Sequence, residues 1–325
     1  MRGKPLRAIA ALWAVLLAGG CVQGPHYVKP AVEVPSAYRF GDQAYQMPVS
    51  TDGQAWWDGF GDPALDSLVR EALANNRDLR IATARVDEFA AILAGTRSQA
   101  FPQVGYGLSG NRSRTSQEKI PALINPLSTT WSSVLSASWE IDLWGRIRRE
   151  AEAAHANLLA SEEARRGVML TLISSVILGY VTLLDLDEQL RVTRATVEGR
   201  RANVDIFEKR LAGGWISEFE MSQVRGEYEA ALAQLPGFNR AIATQENALS
   251  VLLGRNPGPI ARDRDQQSLH SPAVPSGLPS ELLIRRPDIL AAEQQLVASN
   301  ALIGAARAQF FPRISLTGLF GFVSE

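Results

Sequence analysis

Cysteine is nearly absent from the chain, with one in 325 residues at Cys21. An internal disulfide framework and a paired-thiol metal or redox motif are therefore excluded. Histidine is almost as scarce, and His26, His155 and His270 are dispersed without metal-ligand spacing. Charge is balanced, 33 Lys and Arg against 34 Asp and Glu, and no run of like charge is long enough to follow a phosphate backbone. Nucleic acid is thus not an expected partner. Apolar residues make up 46%, ample for a core at this length, but few groups remain with which an enzyme could work. Neither catalysis, a metal nor a cofactor is expected.

The amino terminus carries a targeting pattern. Arg2, Lys4 and Arg7 precede an apolar run from Ala8 to Leu17, followed by Ala18, Gly19, Gly20 and Cys21. Charged, apolar and small-residue regions in that order make a secretory signal. About ten apolar residues fall short of the roughly 20 that span a bilayer. The segment resembles a bacterial lipobox, in which Cys21 is acylated and becomes the first residue after cleavage. Val22, rather than Asp, then implies the outer membrane. An ordinary signal peptide with an incidental cysteine is the alternative.

Helical periodicity dominates the chain beyond residue 61. From Asp62-Pro63, the residues Leu65, Leu68, Val69, Leu73, Leu79, Ile81, Val86, Phe89, Ile92 and Leu93 recur at helical spacing. Asp62 caps, Pro63 opens, and Phe101-Pro102 stops the run, predicting one helix of about 37 residues from Pro63 to Ala100. A second run, Arg146 to Leu211, contains no proline. At ~1.5 Å per residue it makes a helix of roughly 100 Å. Gly213-Gly214-Trp215 breaks the pattern, Ser217 and Glu220 form a capping box, and a third run returns to about Leu253 with a kink at Pro236-Gly237. The outcome is a long antiparallel helical hairpin whose returning arm falls short by about the length of the first helix, so two short helices stacked end to end would match the long one. Gly167 to Leu184 lacks charge and competes as a membrane span, although its serines, threonines and continuing periodicity favour a helix packed on several faces.

Between the first two helices the period changes to two. Val104, Tyr106 and Leu108 alternate with Gly105, Gly107 and Ser109; Trp131, Leu135, Ala137, Trp139 and Ile141 share one face, Ser132, Ser136, Ser138 and Glu140 the other. Runs of about ten residues with one apolar, aromatic face match transmembrane β-barrel strands. A half-buried strand of a soluble sandwich would show the same alternation. The literal GxGxxG from Gly105 to Gly110 lies inside such a run, where a dinucleotide fingerprint would follow a strand and open a helix. Glu140 and Asp142 are the most suggestive carboxylates, yet no His, Lys or nucleophile accompanies them, and solvated charges near a strand end explain them.

The chain also repeats itself. Glu71, Leu73, Asp78, Ala82, Ala91, Arg97, Gln99, Phe101 and Pro102 recur without a gap as Glu281, Leu283, Asp288, Ala292, Ala301, Arg307, Gln309, Phe311 and Pro312, an offset of 210. A second alternating run opens at Ile314, Leu316 and Phe320. Two similar halves are implied, with segments 1–20 (signal), 21–61 (lipidated segment), 62–277 (first repeat: helix, strand pair, hairpin) and 278–325 (start of the second repeat, truncated).

At these residues the chain resembles the TolC-like outer-membrane factors, in particular the lipidated OprM/NodT-type efflux lipoproteins. The stretches that carry the resemblance are the lipobox at Cys21, FGDPALDSLVREAL, FPQVGYG, FFPRISL, SWEIDLWGRIRR, LAGGWISEFEM and LPSELLIRRPDI. The resemblance implies a fold that is mainly α with transmembrane β, with the hairpin in a periplasmic α-barrel and the strands in an outer-membrane β-barrel, trimeric in the intact family. It further implies a passive exit duct for small molecules, anchored in outer-membrane lipid and docked to a periplasmic adaptor and an inner-membrane efflux pump. By position, Gly213, Gly214, Trp215, Ile216 and Ser217 form the adaptor-contacting tip. The helix–strand junctions comprise Phe101, Pro102, Trp139, Asp142, Trp144, Gly145, Phe311 and Pro312. The resemblance also implies a fourth strand and a second hairpin, so this chain alone is expected not to conduct, and ion conductance from it in a bilayer would contradict that. A structural or adaptor-like periplasmic lipoprotein with a helical hairpin, or a non-conducting truncated copy, is the alternative function.

Overall fold

The computed structural model describes residues 22–35, 55–114, 116, 126–262, 269–270 and 279–324. The signal peptide and Cys21 lie outside them. The chain divides into two compact units: Met1–Glu33, Ala84–Glu163 and Arg286–Glu325 in one, Val34–Thr83 and Ala164–Arg285 in the other. Among the described residues the fold is mainly α with one antiparallel sheet.

A 3-10 turn, Trp56–Phe60, leads to α1 (Pro63–Asn75) and α2 (Arg77–Ser98). The single helix expected from Pro63 to Ala100 is therefore two. Asn76 leaves the helix at φ −57°, ψ 134°. Its Oδ1 accepts from Leu79 N–H at 3.0 Å and its Nδ2 donates to Leu252 O at 2.9 Å. An asparagine that can cap the next turn and reach a second helix outcompetes one more intrahelical bond. The repeat reproduces this break. Helix α7 (Pro287–Ala308) is α2 displaced by 210 residues, and Arg286, also extended, separates it from α6 (Pro279–Arg285).

Helix α3 (Arg146–Ala212) runs unbroken for 67 residues. The returning arm is α4 (Glu218–Leu232) and α5 (Leu235–Leu252). It breaks at Ala233-Gln234, a few residues ahead of the Pro236-Gly237 expected to kink it. The ring of a helical proline strikes the carbonyl four residues earlier, here Leu232, so the break precedes Pro236, which then occupies the first turn of α5 where a missing N–H costs nothing.

The second unit holds the larger core. Leu65, Leu68, Val69 and Ala72 of α1 meet Leu172, Ile173, Val176, Ile177, Tyr180, Leu183 and Leu184 of α3, with Leu249, Leu253 and Ile260. The charge-free stretch from Gly167 to Leu184 thus supplies one wall of this core, while Leu178 on its other side is 69% exposed. Tyr180 is wholly buried and donates to Asp62 Oδ2 at 2.8 Å; the other oxygen of Asp62 caps α1 through Ala64 N–H at 2.8 Å. The Gly254 backbone abuts Asn75 so closely that a Cβ would lie 2.3 Å from Asn75 O. There α5 ends beside the junction at which α1 gives way to α2. In the first unit, Ala153 and Ala156 of α3 pack on Ala298 and Ala301 of α7.

Candidate functional site

Three strands, β1 (Gln103–Arg114), β2 (Leu127–Ile141) and β3 (Ile314–Ser324), form an antiparallel sheet in the order β1-β2-β3. The two strands related by the repeat flank β2, and their outer edges are unpaired among the described residues. Tyr106 stands opposite Leu135, which stands opposite Phe320; Trp139 faces Leu316, and Ile141 faces Ile314. Directly opposed residues share a face. One face therefore carries Val104, Tyr106, Leu108, Trp131, Leu135, Trp139, Leu316, Phe320 and Phe322. The other carries Gly105, Gly107, Ser109, Ser132, Ser136, Ser138, Ser315 and Thr317, with the apolar Val134, Leu319 and Val323 interspersed, and the Ser109 and Ser132 hydroxyls are 2.7 Å apart. No residue of β1 or β3 is buried, so none of the described residues covers the aromatic face. The GxGxxG lies wholly within β1.

Four of the junction residues, Trp139, Trp144, Phe311 and Pro312, take part with Ala100 in two related latches. Trp139 Nε1 donates to Ala100 O at 2.9 Å, holding the turn at Phe101-Pro102. Trp144 Nε1 donates to Pro312 O at 3.0 Å and its ring stacks on Phe311 with centroids 4.6 Å apart. Each copy of the repeated helix-to-strand turn is thus pinned by one indole from the β2 end.

Glu140 and Asp142 are not solvated strand-end charges, and Asp142 lies beyond the end of β2. Glu140 forms a fork with Arg146 at 3.0 and 2.9 Å, and Arg146 also bonds both oxygens of Glu150. Hydrogen bonding to Glu140 holds the guanidinium above its ordinary pKa despite its partial burial. Asp142 accepts from the backbone N–H of Ile147 at 3.2 Å and of Arg148 at 3.0 Å, neutralising orphan donors at the start of α3. Gly145 turns the chain between them at φ +77°, with Val22 packed where a side chain would stand.

An N-terminal strap completes this region. Gln23 N–H donates to Trp144 O at 3.2 Å, Asn300 Nδ2 to Pro25 O at 3.1 Å, and Lys29 pairs with Glu293 at 2.6 Å. Arg149, 2% exposed, holds Gln23 O at 3.0 Å, Gly24 O at 3.3 Å and Glu152 at 2.8 Å. A Cβ on Gly304 would come within 2.5 Å of Gln23 O. Sequence reasoning missed Arg149 and Gly304. In GRIRR three arginines look alike, and the one signal available was that Arg149 lies two positions from Ile147, the apolar residue of that run.

At the far end of the hairpin, Gly214 at φ +73° turns the chain and Ser217 caps α4. Ser217 Oγ accepts from Glu220 N–H at 3.3 Å, and Ser217 N–H donates back to the Glu220 carboxylate at 2.8 Å, which lowers the pKa of that carboxyl. Trp215 is 83% exposed and Phe219 77%.

A family model described as outer membrane efflux protein matches residues 68–255 and 278–322. The solvent efflux pump outer membrane protein SrpC of Pseudomonas putida is 37% identical over 319 residues, covering 97% of this chain and 68% of SrpC. The cation efflux system protein CusC of Escherichia coli strain K12 is 36% identical over 302 residues, covering 92% of this chain and 65% of CusC. The crystal structure of the Campylobacter jejuni CmeC outer membrane channel superposes with a TM-score of 0.79 at 27% identity, covering 94% of this chain and 66% of CmeC. The chain spans about two-thirds of the length of these relatives.

Proposed function

Because the chain belongs to the outer membrane efflux protein family, we propose that it builds the wall of a passive exit duct, conducting small molecules from a periplasmic adaptor and an inner-membrane pump to the exterior. The protein resides in the outer membrane with its helices in the periplasm. The observation that carries the proposal is the uncovered aromatic face of the sheet, opposite a face on which glycine and hydroxyl residues outnumber the apolar Val134, Leu319 and Val323. Lipid satisfies the first and water the second.

The open edges of β1 and β3 call for further strands, since backbone groups in lipid have no water to bond. The fourth strand that the resemblance implies, together with the strands of neighbouring copies in a homotrimer, supplies them. Cys21 is acylated after cleavage behind Gly20: the strap seats Val22 against Gly145 at the helix–sheet junction, the level of the membrane surface, where an acyl chain on the preceding residue enters lipid. The segment 62–277 is the first structural repeat and 278–325 the start of the second. At the tip, Gly213 to Ser217 contact the adaptor, with Trp215 and the neighbouring Phe219 as apolar anchors.

Cysteines introduced at adjacent positions test the reading. Ser136→Cys is expected to react with a water-soluble thiol reagent in membranes. Leu135→Cys is expected to resist it, and a fluorophore placed there is expected to be quenched by a lipid-phase quencher. The reverse pattern, or equal reactivity, would overturn it. Cross-linking at the β1 and β3 edges is expected to give species of three chains, and mass analysis an acylated Cys21.

A further inference from the structure

The even-numbered positions of β1 run Val104, Tyr106, Leu108, Gly110, Arg112 and Arg114. All lie on the aromatic face, because Tyr106 opposes Leu135 and Gly110 opposes Trp131, whose ring lies where a Cβ on Gly110 would be. The lipid-facing stripe therefore ends in two exposed arginines at the end of β1 remote from the helices. They oppose Thr129 and Leu127 on β2, and among the described residues neither has a carboxylate partner.

The geometry points to a lipid-phosphate site, and we infer that Arg112 and Arg114 bind phosphate groups of lipid headgroups in the outer leaflet. The inference rests on the sheet being a barrel wall. From Val104, Arg112 is about 27 Å and Arg114 about 34 Å along the strand at ~3.4 Å per residue. At a tilt of ~40° they stand roughly 21 and 26 Å above the base, at the upper boundary of an apolar band about 25 Å tall. A guanidinium on the lipid side is costly at mid-depth and favourable where it reaches phosphate. Its planar fork matches phosphate oxygens, and two forks about 7 Å apart can share one phosphomonoester or hold two neighbours. The water-facing residues at the same height, Asn111 and Ser113, carry no charge, so the basic pair belongs to the lipid side alone.

The test uses the full chain purified in neutral detergent, with native mass spectrometry of retained lipid. The probes are a bisphosphorylated outer-leaflet glycolipid, its dephosphorylated form and phosphatidylglycerol. The wild-type chain is expected to retain the phosphorylated lipids in a salt-sensitive manner, with affinity falling about fivefold per arginine lost in R112Q, R114Q and the double variant. R85Q, exposed on α2, is expected to leave retention unchanged. Preference for the glycolipid would assign the site to that source, and equal retention to phosphate in either lipid. Unchanged retention in the double variant, or undiminished retention of the dephosphorylated form, would overturn the inference. If the Leu135 fluorophore is quenched in lipid while the arginine variants change nothing, this site fails and the barrel reading stands. If Leu135 is open to water, both fail.

Discussion

The sheet and the core around Tyr180 treat similar residues in opposite ways. In the second unit Leu65, Leu183 and Leu249 are wholly buried against one another. In the sheet Leu108, Phe320 and Phe322 carry as much apolar surface, yet none is buried. Apolar area left open over three paired strands is far beyond scattered surface leucines. The difference teaches that the chain is built for two solvents: the helices solve the hydrophobic problem internally, and the sheet leaves it to a bilayer.

Substitutions that separate the two regimes sharpen this contrast. Leu183→Ala is expected to destabilise the helices by about 2–5 kcal/mol through lost burial and a cavity, read as a lowered urea midpoint by far-UV circular dichroism. Phe320→Ala, equally drastic in area, is expected to leave that midpoint unchanged; a matching drop would break the contrast. Leu135→Arg is expected to cost roughly 2–4 kcal/mol in membrane insertion, measured by partition into vesicles, with the helical signal retained. Tyr180→Phe strands the buried Asp62 Oδ2 and is expected to cost about 1–3 kcal/mol in the same denaturation assay. Asn76→Ala removes a cap and the bond to Leu252, an expected loss of about 1 kcal/mol.

The smallest effect is a pH dependence confined to the helical unit. Asp66 is held above its ordinary value of 3.8, first by burial and then by the neighbouring Asp58 carboxylate. The folded state thus binds the Asp66 proton more tightly than the unfolded state does. Its contribution is full below pH 3.8 and is lost as pH rises through the raised value. Asp66→Asn is expected to remove this contribution from the pH slope of the unfolding midpoint, to which Glu188, Glu220 and Asp288, held below their ordinary values by hydrogen bonds, contribute with the opposite sign, and to stabilise the chain at neutral pH. An unchanged slope would remove Asp66 as its cause.

Much of this architecture was legible in the chain itself. Strand alternation foretold the two faces of the sheet, because a period of two leaves no other arrangement once the strands pair. The 210-residue offset foretold that α7 would copy α2 and β3 would copy β1. The capping box at Ser217 was legible because it is local. Asn76 was not, since periodicity continues through it and the reward for breaking the helix comes from Leu252, 176 residues away. Nor was the fate of Glu140 and Asp142, whose partners lie across a turn set by Gly145.

By itself, though not at the break at Asn76, the sequence determined the order of helical and strand segments and the two faces of the sheet, because these follow from backbone geometry and the spacing of apolar side chains. Only the tertiary structure decided which distant polar groups meet. Arg149 on the strap, Tyr180 on Asp62 and each tryptophan on its own copy of the repeated turn are choices made by packing between distant segments. A buried polar group is stable only where a partner arrives, and no local pattern says which partner will.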